Sequence, residues 1–174
     1  AVGWVHGVLN TDNMSVMGLT IDYGPYAFME SFDPDFTPNG SDGSARYSYA
    51  RQASMCRWNC GKFAEALAPL LDKEAADAIL ATSFDVVYEE EHMTRMRGKL
   101  GLTREEKEGT GEDDVDLVAS LFSTMGTTNC DFTDTFLALQ DLASGDVDSA
   151  TTLERLVSRC SSPDELKGQL ERKM

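Results

Sequence analysis

The chain is poor in basic residues: its 174 residues include 15 lysines and arginines against 30 aspartates and glutamates, for a formal net charge of −15. A surface of this charge repels nucleic-acid phosphates and anionic lipid headgroups, which disfavours nucleic acid and membrane surfaces as partners. The sequence also lacks any run of about 18 apolar residues, the length that a membrane-spanning helix requires. We therefore expect a protein that neither spans a membrane nor binds nucleic acid.

Cysteine is scarce as well, with four residues at Cys56, Cys60, Cys130 and Cys160. Their irregular spacing does not suit a compact disulfide framework, and a chain of this length does not need one. We therefore expect reduced, buried thiols in an intracellular protein. Cys56 and Cys60 lie four positions apart on a predicted helix, but no second cysteine or histidine pair completes a zinc site.

Motifs that hold nucleotide phosphates are absent from the sequence. It contains no Gly-x-Gly-x-x-Gly, no Gly-Lys-Ser/Thr and no strand lysine ahead of the polar stretch described next. If the protein uses a nucleotide, we expect most of its phosphate-binding groups to lie elsewhere in the polypeptide. Residues 1–174 are then expected to be a piece of a larger enzyme and to bind ATP feebly without transferring anything.

Alternation of polar and apolar residues over positions 13–22 predicts a short β-hairpin. A two-residue turn at Met17-Gly18 would place Asn13 opposite Asp22 on one face. A type I turn with a glycine bulge is equally compatible and would shift the pairing by one residue. We expect the other face to be buried, and it comprises Met14, Val16, Leu19 and Ile21.

The polar face of this hairpin offers oxygen ligands for a hard cation. Opposite residues have Cβ atoms about 5 Å apart, so one amide oxygen and one carboxylate can share an ion. By itself the alternation favours an ordinary amphipathic hairpin with its polar face in water. The ends of the hairpin favour a metal site, because Asp12-Asn13 precedes one strand and Asp22-Tyr23-Gly24 closes the other. Protein kinases place an Asn and the Asp of Asp-Phe-Gly on magnesium in this arrangement.

Longer motifs resemble a known family, selenoprotein O. They are His6-Gly-Val-Leu-Asn-Thr-Asp-Asn-Met-Ser15, Gly18-Leu-Thr-Ile-Asp-Tyr-Gly-Pro25, Asp33-Pro-Asp35, Arg46-Tyr-Ser-Tyr49 and Trp58-Asn59. The resemblance implies a kinase-like fold of class α+β, mostly helical, with the hairpin carrying the metal ligands. It implies that residues 1–142 form part of a C-terminal lobe without its nucleotide-binding N-terminal lobe, and that residues 143–174 form a helical extension.

The same resemblance implies an activity. Members of the family are nucleotidyltransferases that move AMP from ATP to protein hydroxyl groups, which implies Mg²⁺, ATP and protein substrates bearing Ser, Thr or Tyr. Asn13 and Asp22 would bind the metal, Asp22 would also lie against the nucleotide phosphates, and Asp12 would accept a proton. The implied location is mitochondrial for a eukaryotic source and cytoplasmic for a bacterial one.

Val8 leaves other interpretations open. In kinases the catalytic Asp lies five residues before the metal-binding Asn, and Val8 occupies that position here. Because valine cannot accept a proton, a catalytically inactive pseudokinase that acts as a scaffold or regulatory module is an alternative. Retention of Asp12, Asn13 and Asp22 argues against it. A helical interaction domain without a ligand is the third interpretation, and the long motifs make it the weakest.

The rest of the chain predicts helices and the residues that begin them. Apolar spacing predicts helices over about residues 52–71 and 84–100 and around an inward stripe of Val118, Leu121, Phe122 and Met125. In the first of these, Met55, Trp58 and Phe63 are expected to face the core. The predicted N-terminal caps are Asp72, Asp131 or Thr133, Thr151 and Ser162. The composition of residues 104–114 predicts a charged surface loop or a partly disordered insert.

Overall fold

The structure is a computed structural model that describes residues 1–102, 111–144 and 148–160. Two short strands, Trp4–Val5 (β1) and Ala27–Phe28 (β2), pair in an antiparallel sheet. The helices of the described residues are Gln52–Ala66 (α1), Lys73–Ile79 (α2), Val86–Lys99 (α3), Gly111–Thr128 (α4), Phe132–Ser144 (α5) and Ser149–Ser158 (α6). The prediction of a mostly helical α+β fold is confirmed. None of the helices described is long and apolar enough to cross a membrane.

The chain divides into two compact units. The loop unit comprises Trp4–Phe28 and Pro34–His92, and the helical unit comprises Ala1–Gly3, Met29–Asp33 and Met93–Met174. The loop unit holds both strands, α1, α2 and a π-helical turn at Leu80–Asp85. The helical unit holds α4, α5 and α6, and the boundary between the units falls within α3.

Apolar side chains form the core of the helical unit. Val118 and Met125 of α4 are buried, as are Phe132 and Phe136 of α5. Each such side chain contributes about 1.5–3 kcal/mol on burial. Aromatic stacking continues this core, because the ring of Phe32 lies 5.0 Å from that of Phe122 between centroids. The predicted stripe of α4 is confirmed, with Leu121 and Phe122 half-buried.

Aspartates cap several helices. Asp72 accepts a hydrogen bond from the Ala75 N–H at 3.2 Å, and Asp131 accepts one from the Asp134 N–H at 2.8 Å, so these two predicted caps are confirmed. The prediction of a cap at Thr151 is wrong. Asp148 caps α6 instead, since its carboxylate accepts from both the N–H and the O–H of Thr151 at 3.0 and 3.1 Å. These bonds lower the pKa of Asp148.

Two other predictions concern the loop at residues 104–114 and the helix cap at Ser162. α4 begins at Gly111, so the loop predicted for residues 104–114 is wrong over 111–114, and its remainder lies outside the described residues. The backbone of the acidic residues after Gly111 is helical, as suits negative charge in a first turn. The predicted cap at Ser162 also lies outside the described residues.

Cys130 and Cys160 form a disulfide, which corrects the prediction of four reduced thiols. Their separation of 30 residues gives no sign of this pairing. An isolated antiparallel bridge places the two backbones side by side, and both cysteines are buried against Leu156 and Val157. Folding of the helical unit, and not cysteine spacing, therefore decides the pair.

The predicted hairpin over residues 13–22 is wrong, since no strand pairing occurs within that range, all of which the structure describes. The Gly18 N–H donates to the Ser15 carbonyl at 3.0 Å and Gly18 has φ +68°. This turn resembles the glycine-bulge alternative without its strands.

Val16 and Leu19 are 74% and 69% exposed. An isolated two-stranded hairpin is marginal in water, and the described residues supply no apolar cover for it. The strands that do pair are β1 and β2, which lie before and after residues 6–26.

The inward face of α1 is partly polar, which corrects the predicted apolar stripe. Met55 and Asn59 are buried, whereas Trp58 and Phe63 are 42% and 50% exposed. The Arg46 guanidinium lies 4.8 Å from the Trp58 ring centroid, a cation–π contact on the outer side. α1 therefore turns hydrogen-bonding groups inward, and these groups hold the candidate site.

Candidate active site

The three candidate site residues, Asp12, Asn13 and Asp22, all lie in the connection between β1 and β2, here called the site loop (residues 6–26). After β1 the chain bends at Gly7, and its backbone is extended at Asn10. A 3₁₀ turn then covers Thr11–Asn13 and closes with a 3.2 Å hydrogen bond from the Asn13 N–H to the Asn10 carbonyl. Asp12 and Asn13 therefore project from a turn and not from a strand.

The side-chain amide of Asn13 has a defined orientation. Its Nδ2 donates to the Val8 carbonyl at 2.9 Å. Since the nitrogen is the donor, Oδ1 is the atom left to accept, and no hydrogen bond to Oδ1 forms within the described part of the chain. An amide oxygen held in this way is a suitable ligand for a hard cation.

Asp12 is exposed on the same turn. Its carboxylate makes no hydrogen bond or ion pair with the residues that the structure describes. A carboxylate that is free and reachable from solvent can accept a proton from an incoming hydroxyl group, provided that group comes within hydrogen-bond distance. The geometry is thus compatible with the role that the sequence predicts.

Asp22 lies against a buried histidine. Its side chain is 59% exposed, and Oδ1 is 3.5 Å from Nε2 of His6, whose side chain is 4% exposed. Among the described residues, neither lysine nor arginine contacts Asp22, so its charge faces solvent and the imidazole.

The structure does not join Asn13 and Asp22 directly, and their pairing across a β-ladder is not formed. It connects them through two intermediate residues. The Val8 N–H donates to Nδ1 of His6 at 3.2 Å, so a continuous series of contacts runs from Asp22 through His6 and Val8 to Asn13. Whether the two outer residues bind metal stays a prediction.

Two amide side chains of α1 hold the start of this loop. Gln52 donates from Nε2 to the Trp4 carbonyl and accepts from the His6 N–H, each at 3.1 Å. Asn59 donates from Nδ2 to the Leu9 carbonyl at 3.2 Å. Neither role was predicted from the sequence. The available signal was their spacing of seven residues, which puts two amides on one helix face.

Two glycines allow the loop to pack closely on itself. Gly24 has φ +60°, and a Cβ there would lie 2.7 Å from Cε1 of His6. Gly7 has φ +85°, and a Cβ there would lie 3.0 Å from Cγ of both Pro25 and Pro38. Side chains at either position would be strained in backbone and in space. The Asp-Tyr-Gly motif therefore needs its glycine because His6 lies against it.

A groove of about 600 Å³ lies beside the 3₁₀ turn, bordered by Thr11 and Met14 on the loop and by Cys60 and Phe63 on α1. Burial raises the pKa of the Cys60 thiol. Burial also raises the pKa of Cys56, and neighbouring Cys60 adds to that effect. Both thiols therefore stay protonated and are poor nucleophiles.

Comparison with known proteins identifies the family. A family model described as "Protein adenylyltransferase SelO" matches residues 1–168. The chain belongs to the SelO family. It is 49% identical over 166 residues to "Protein adenylyltransferase SelO, mitochondrial" of Mus musculus, a match that covers 95% of this chain and 24% of the mouse protein. The human protein of the same name is 47% identical over 170 residues, with the same coverage of 95% and 24%.

Bacterial relatives carry a related name. "Protein nucleotidyltransferase YdiU" of Photobacterium profundum is 41% identical over 159 residues, which cover 91% of this chain and 30% of that protein. The chain therefore spans about a quarter of the mouse and human SelO proteins and under a third of this bacterial one.

The donor set of the site loop fits the cation that an adenylyltransferase of the SelO family implies. No group of three or more His, Cys, Asp or Glu side chains suited to a metal occurs among the residues described. Mg²⁺ does not need one, because it is commonly held by one or two protein oxygen ligands together with water and substrate phosphates. The Asp22 carboxylate and the oriented Oδ1 of Asn13 are of that kind.

Proposed function

We propose that the longer protein containing this chain transfers AMP from ATP to Ser, Thr or Tyr hydroxyl groups of protein substrates. Membership of the SelO family supports the reaction class, as do the names of the relatives. The structural observation that supports it most is the site loop itself. Its turn presents an unpaired Asp12 carboxylate beside an Asn13 amide whose nitrogen is already bonded to Val8.

In this reaction the oxygen of a protein hydroxyl attacks the α-phosphorus of ATP. A new bond forms between that oxygen and the α-phosphorus, the bond from the α-phosphorus to the bridging oxygen breaks, and pyrophosphate leaves. The hydroxyl proton passes to the Asp12 carboxylate. Because Val8 occupies the position of the base in kinases, Asp12 is the proposed acceptor in its place.

Asn13 and Asp22 would hold Mg²⁺, which supplies charge neutralisation for the phosphates when it is bound. Asp22 would also lie next to the nucleotide. The chain offers little positive charge for the remaining phosphate oxygens, so most of the groups that hold them would come from other parts of the polypeptide. Residues 1–174 alone would then bind ATP weakly and transfer no AMP.

The organisation and location of the protein belong to the same proposal. Residues 1–142 would form part of a kinase-like C-terminal lobe, with residues 143–174 as its helical extension. The names of the mouse and human relatives include the word mitochondrial, so a eukaryotic source would imply that compartment and a bacterial source the cytoplasm. The net charge of −15 disfavours nucleic acid as a partner.

The experiment uses the full-length protein, Mg²⁺, an acceptor protein mixture and ATP labelled at either the α or the γ phosphate. Label from α-labelled ATP should become covalently attached to protein, and label from γ-labelled ATP should not. Asp77 of α2 is paired on the surface with Lys73. Asp77→Asn, which removes a carboxylate away from the site loop, should transfer label like the wild type.

Two results would overturn the proposal. Transfer of γ label would make the protein a kinase. Transfer of neither label would favour the second candidate, a pseudokinase that binds partners without catalysis. Val8 is the observation that favours this second candidate, since it removes the usual base.

A further inference from the structure

His6 is a buried histidine that the proposed reaction leaves without a role. It is 3% exposed, and its ring packs edge-on against Trp4, with 5.7 Å between ring centroids. The Gln52 side chain accepts from its backbone N–H, and Gly24 leaves room for its Cε1. These contacts enclose the imidazole and hold the His6 backbone.

Hydrogen bonding defines which nitrogen of His6 carries the proton. Nδ1 accepts from the Val8 N–H at 3.2 Å, so Nδ1 has no proton of its own. A neutral imidazole then carries its proton on Nε2. Nε2 is buried and has no hydrogen-bond partner among the described residues. Leaving a buried donor without a partner is unfavourable.

An acceptor close to Nε2 belongs to a candidate metal ligand. Asp22 Oδ1 lies 3.5 Å from Nε2, a few tenths of an ångström beyond the usual range for a hydrogen bond of this type. The histidine is enclosed and the aspartate is largely exposed, so a small movement of Asp22 toward His6 completes the bond. That bond would hold Oδ1 and leave the other carboxylate oxygen directed elsewhere.

The imidazole of His6 is also connected to the second candidate ligand, through Val8. Val8 uses its N–H on His6 and its carbonyl on Asn13. We propose that His6 is the positioning residue of the metal site: its Nε2–H orients the Asp22 carboxylate, while its Nδ1 fixes the Val8 peptide that orients the Asn13 amide. This inference rests on the proposed function, because it assumes that Asn13 and Asp22 bind the cation.

Two substitutions separate the two ends of the imidazole. His6→Asn keeps an acceptor near the position of Nδ1 for Val8 and removes the donor toward Asp22. His6→Gln keeps a donor near the position of Nε2 and removes the acceptor for Val8. A purely structural role for His6 gives no reason for the longer side chain to rescue metal binding.

The test measures Mn²⁺ affinity of the full-length protein by electron paramagnetic resonance, with an ATP analogue that cannot be cleaved between the α and β phosphates. His6→Asn should weaken Mn²⁺ binding about 10–100-fold, as is typical when a hydrogen-bonding partner of a metal ligand is lost. His6→Gln should recover part of that loss and stay below the wild type, because it restores the donor toward Asp22 but leaves the Val8 N–H without its acceptor. Equal affinities for His6→Asn and the wild type, or a larger loss for His6→Gln, would overturn the inference.

Asp22→Ala distinguishes the failure of this inference from the failure of the proposed function on which it rests. If Asp22→Ala weakens Mn²⁺ binding and His6→Asn does not, the positioning role fails and the ligand assignment stands. If Asp22→Ala has no effect, the ligand assignment itself fails, and the positioning role fails with it. Unchanged melting temperatures show that a loss of affinity is not a loss of fold.

A measurement on the unmodified protein covers the case in which a His6 variant does not fold. The ¹⁵N chemical shifts of the His6 imidazole report which nitrogen carries the proton. We expect protonation at Nε2 and none at Nδ1. A tautomer with its proton on Nδ1 would contradict the hydrogen bond from Val8 and overturn the inference.

Discussion

The two units of the chain are stabilised by different forces. The helical unit buries Val118, Met125 and Phe132 and closes a disulfide between Cys130 and Cys160. The loop unit buries fewer large side chains around the site loop and holds that loop by hydrogen bonds from side chains to backbone atoms. Apolar burial is non-directional and contributes broadly to stability, whereas a side-chain-to-backbone hydrogen bond fixes one atom at one place. The first kind of unit is suited to support and the second to positioning reactive groups.

This difference predicts two kinds of mutational effect. Changes in the site loop should reduce activity and metal affinity with little effect on stability, because Asp12 and Asp22 are largely exposed. Changes in the helical unit should reduce stability with little direct effect on the chemical step. The predictions below test that separation in the full-length protein.

The largest effect is expected for Asp22→Ala. It removes a proposed metal ligand and the neighbour of His6, so both nucleotide affinity and transfer rate should fall. The rate loss should exceed the roughly 10²–10⁴-fold that is typical of losing a general base. Steady-state rates at varied Mg²⁺ and ATP measure both quantities, and Asp77→Asn is the matched control. A variant with normal transfer rate and nucleotide affinity would show that Asp22 has no role in the site.

Asp12→Ala should lower the rate without lowering affinity for ATP. Its proposed role is to accept a proton, so we expect a loss of about 10²–10⁴-fold in kcat. Equilibrium binding of ATP should stay near the wild-type value, because Asp12 holds no metal in this scheme. A large loss of ATP affinity with an unchanged kcat would show that Asp12 acts in binding instead.

Replacing both Cys130 and Cys160 by serine should destabilise α6 and leave transfer intact. Closing a loop of 30 residues contributes about 3–4 kcal/mol in the chain-entropy account. Hydrogen exchange of α6 amides should report a lower opening free energy by about that amount. Cys56→Ser is the matched control, since Cys56 is a free thiol. Unchanged exchange in α6 would show that the disulfide contributes nothing to its stability.

Gln52→Leu should lower stability by less than the loss of the disulfide does. The change leaves the His6 N–H and the Trp4 carbonyl without their partner, at a cost of about 1–3 kcal/mol. Because the two hydrogen bonds of Gln52 hold the start of the site loop, AMP transfer should also slow. A change in the helical unit should not slow AMP transfer. The matched control is Gln140→Leu on the exposed side of α5. Equal effects of the two changes on stability and on AMP transfer would contradict the proposed difference between the units.

The same contrast explains which features could be predicted from the sequence. The stripe of α4 and the caps at Asp72 and Asp131 follow from local periodicity and local hydrogen bonding, and they were predicted correctly. The disulfide depends on the approach of the segment between α4 and α5 to the residues that follow α6, which cysteine spacing does not encode. The cap of α6 is a local feature, but it was placed three residues late, at Thr151 instead of Asp148.

The site loop shows the limit of period-two patterns. Alternation predicted a hairpin over residues 13–22, yet strand pairing also requires a surface to cover the apolar side chains, and the described residues provide none for Val16 or Leu19. The loop is held instead by Gln52 and Asn59, which lie 46 and 50 positions away from their backbone partners at His6 and Leu9. Contacts between residues so far apart in the sequence cannot be predicted from a local pattern. The motif around Asp12, Asn13 and Asp22 was nevertheless recognisable.

The most direct test of the account compares Mn²⁺ binding by Asn13→Ala and by Asp12→Ala in the full-length protein, with the uncleavable ATP analogue present. These neighbours lie on one 3₁₀ turn, so a general disturbance of the turn should affect both alike. The account predicts that Asn13→Ala weakens Mn²⁺ binding at least about tenfold, by loss of an oxygen ligand, while Asp12→Ala binds Mn²⁺ like the wild type. Equal affinity of Asn13→Ala and the wild type, or a loss confined to Asp12→Ala, would contradict it.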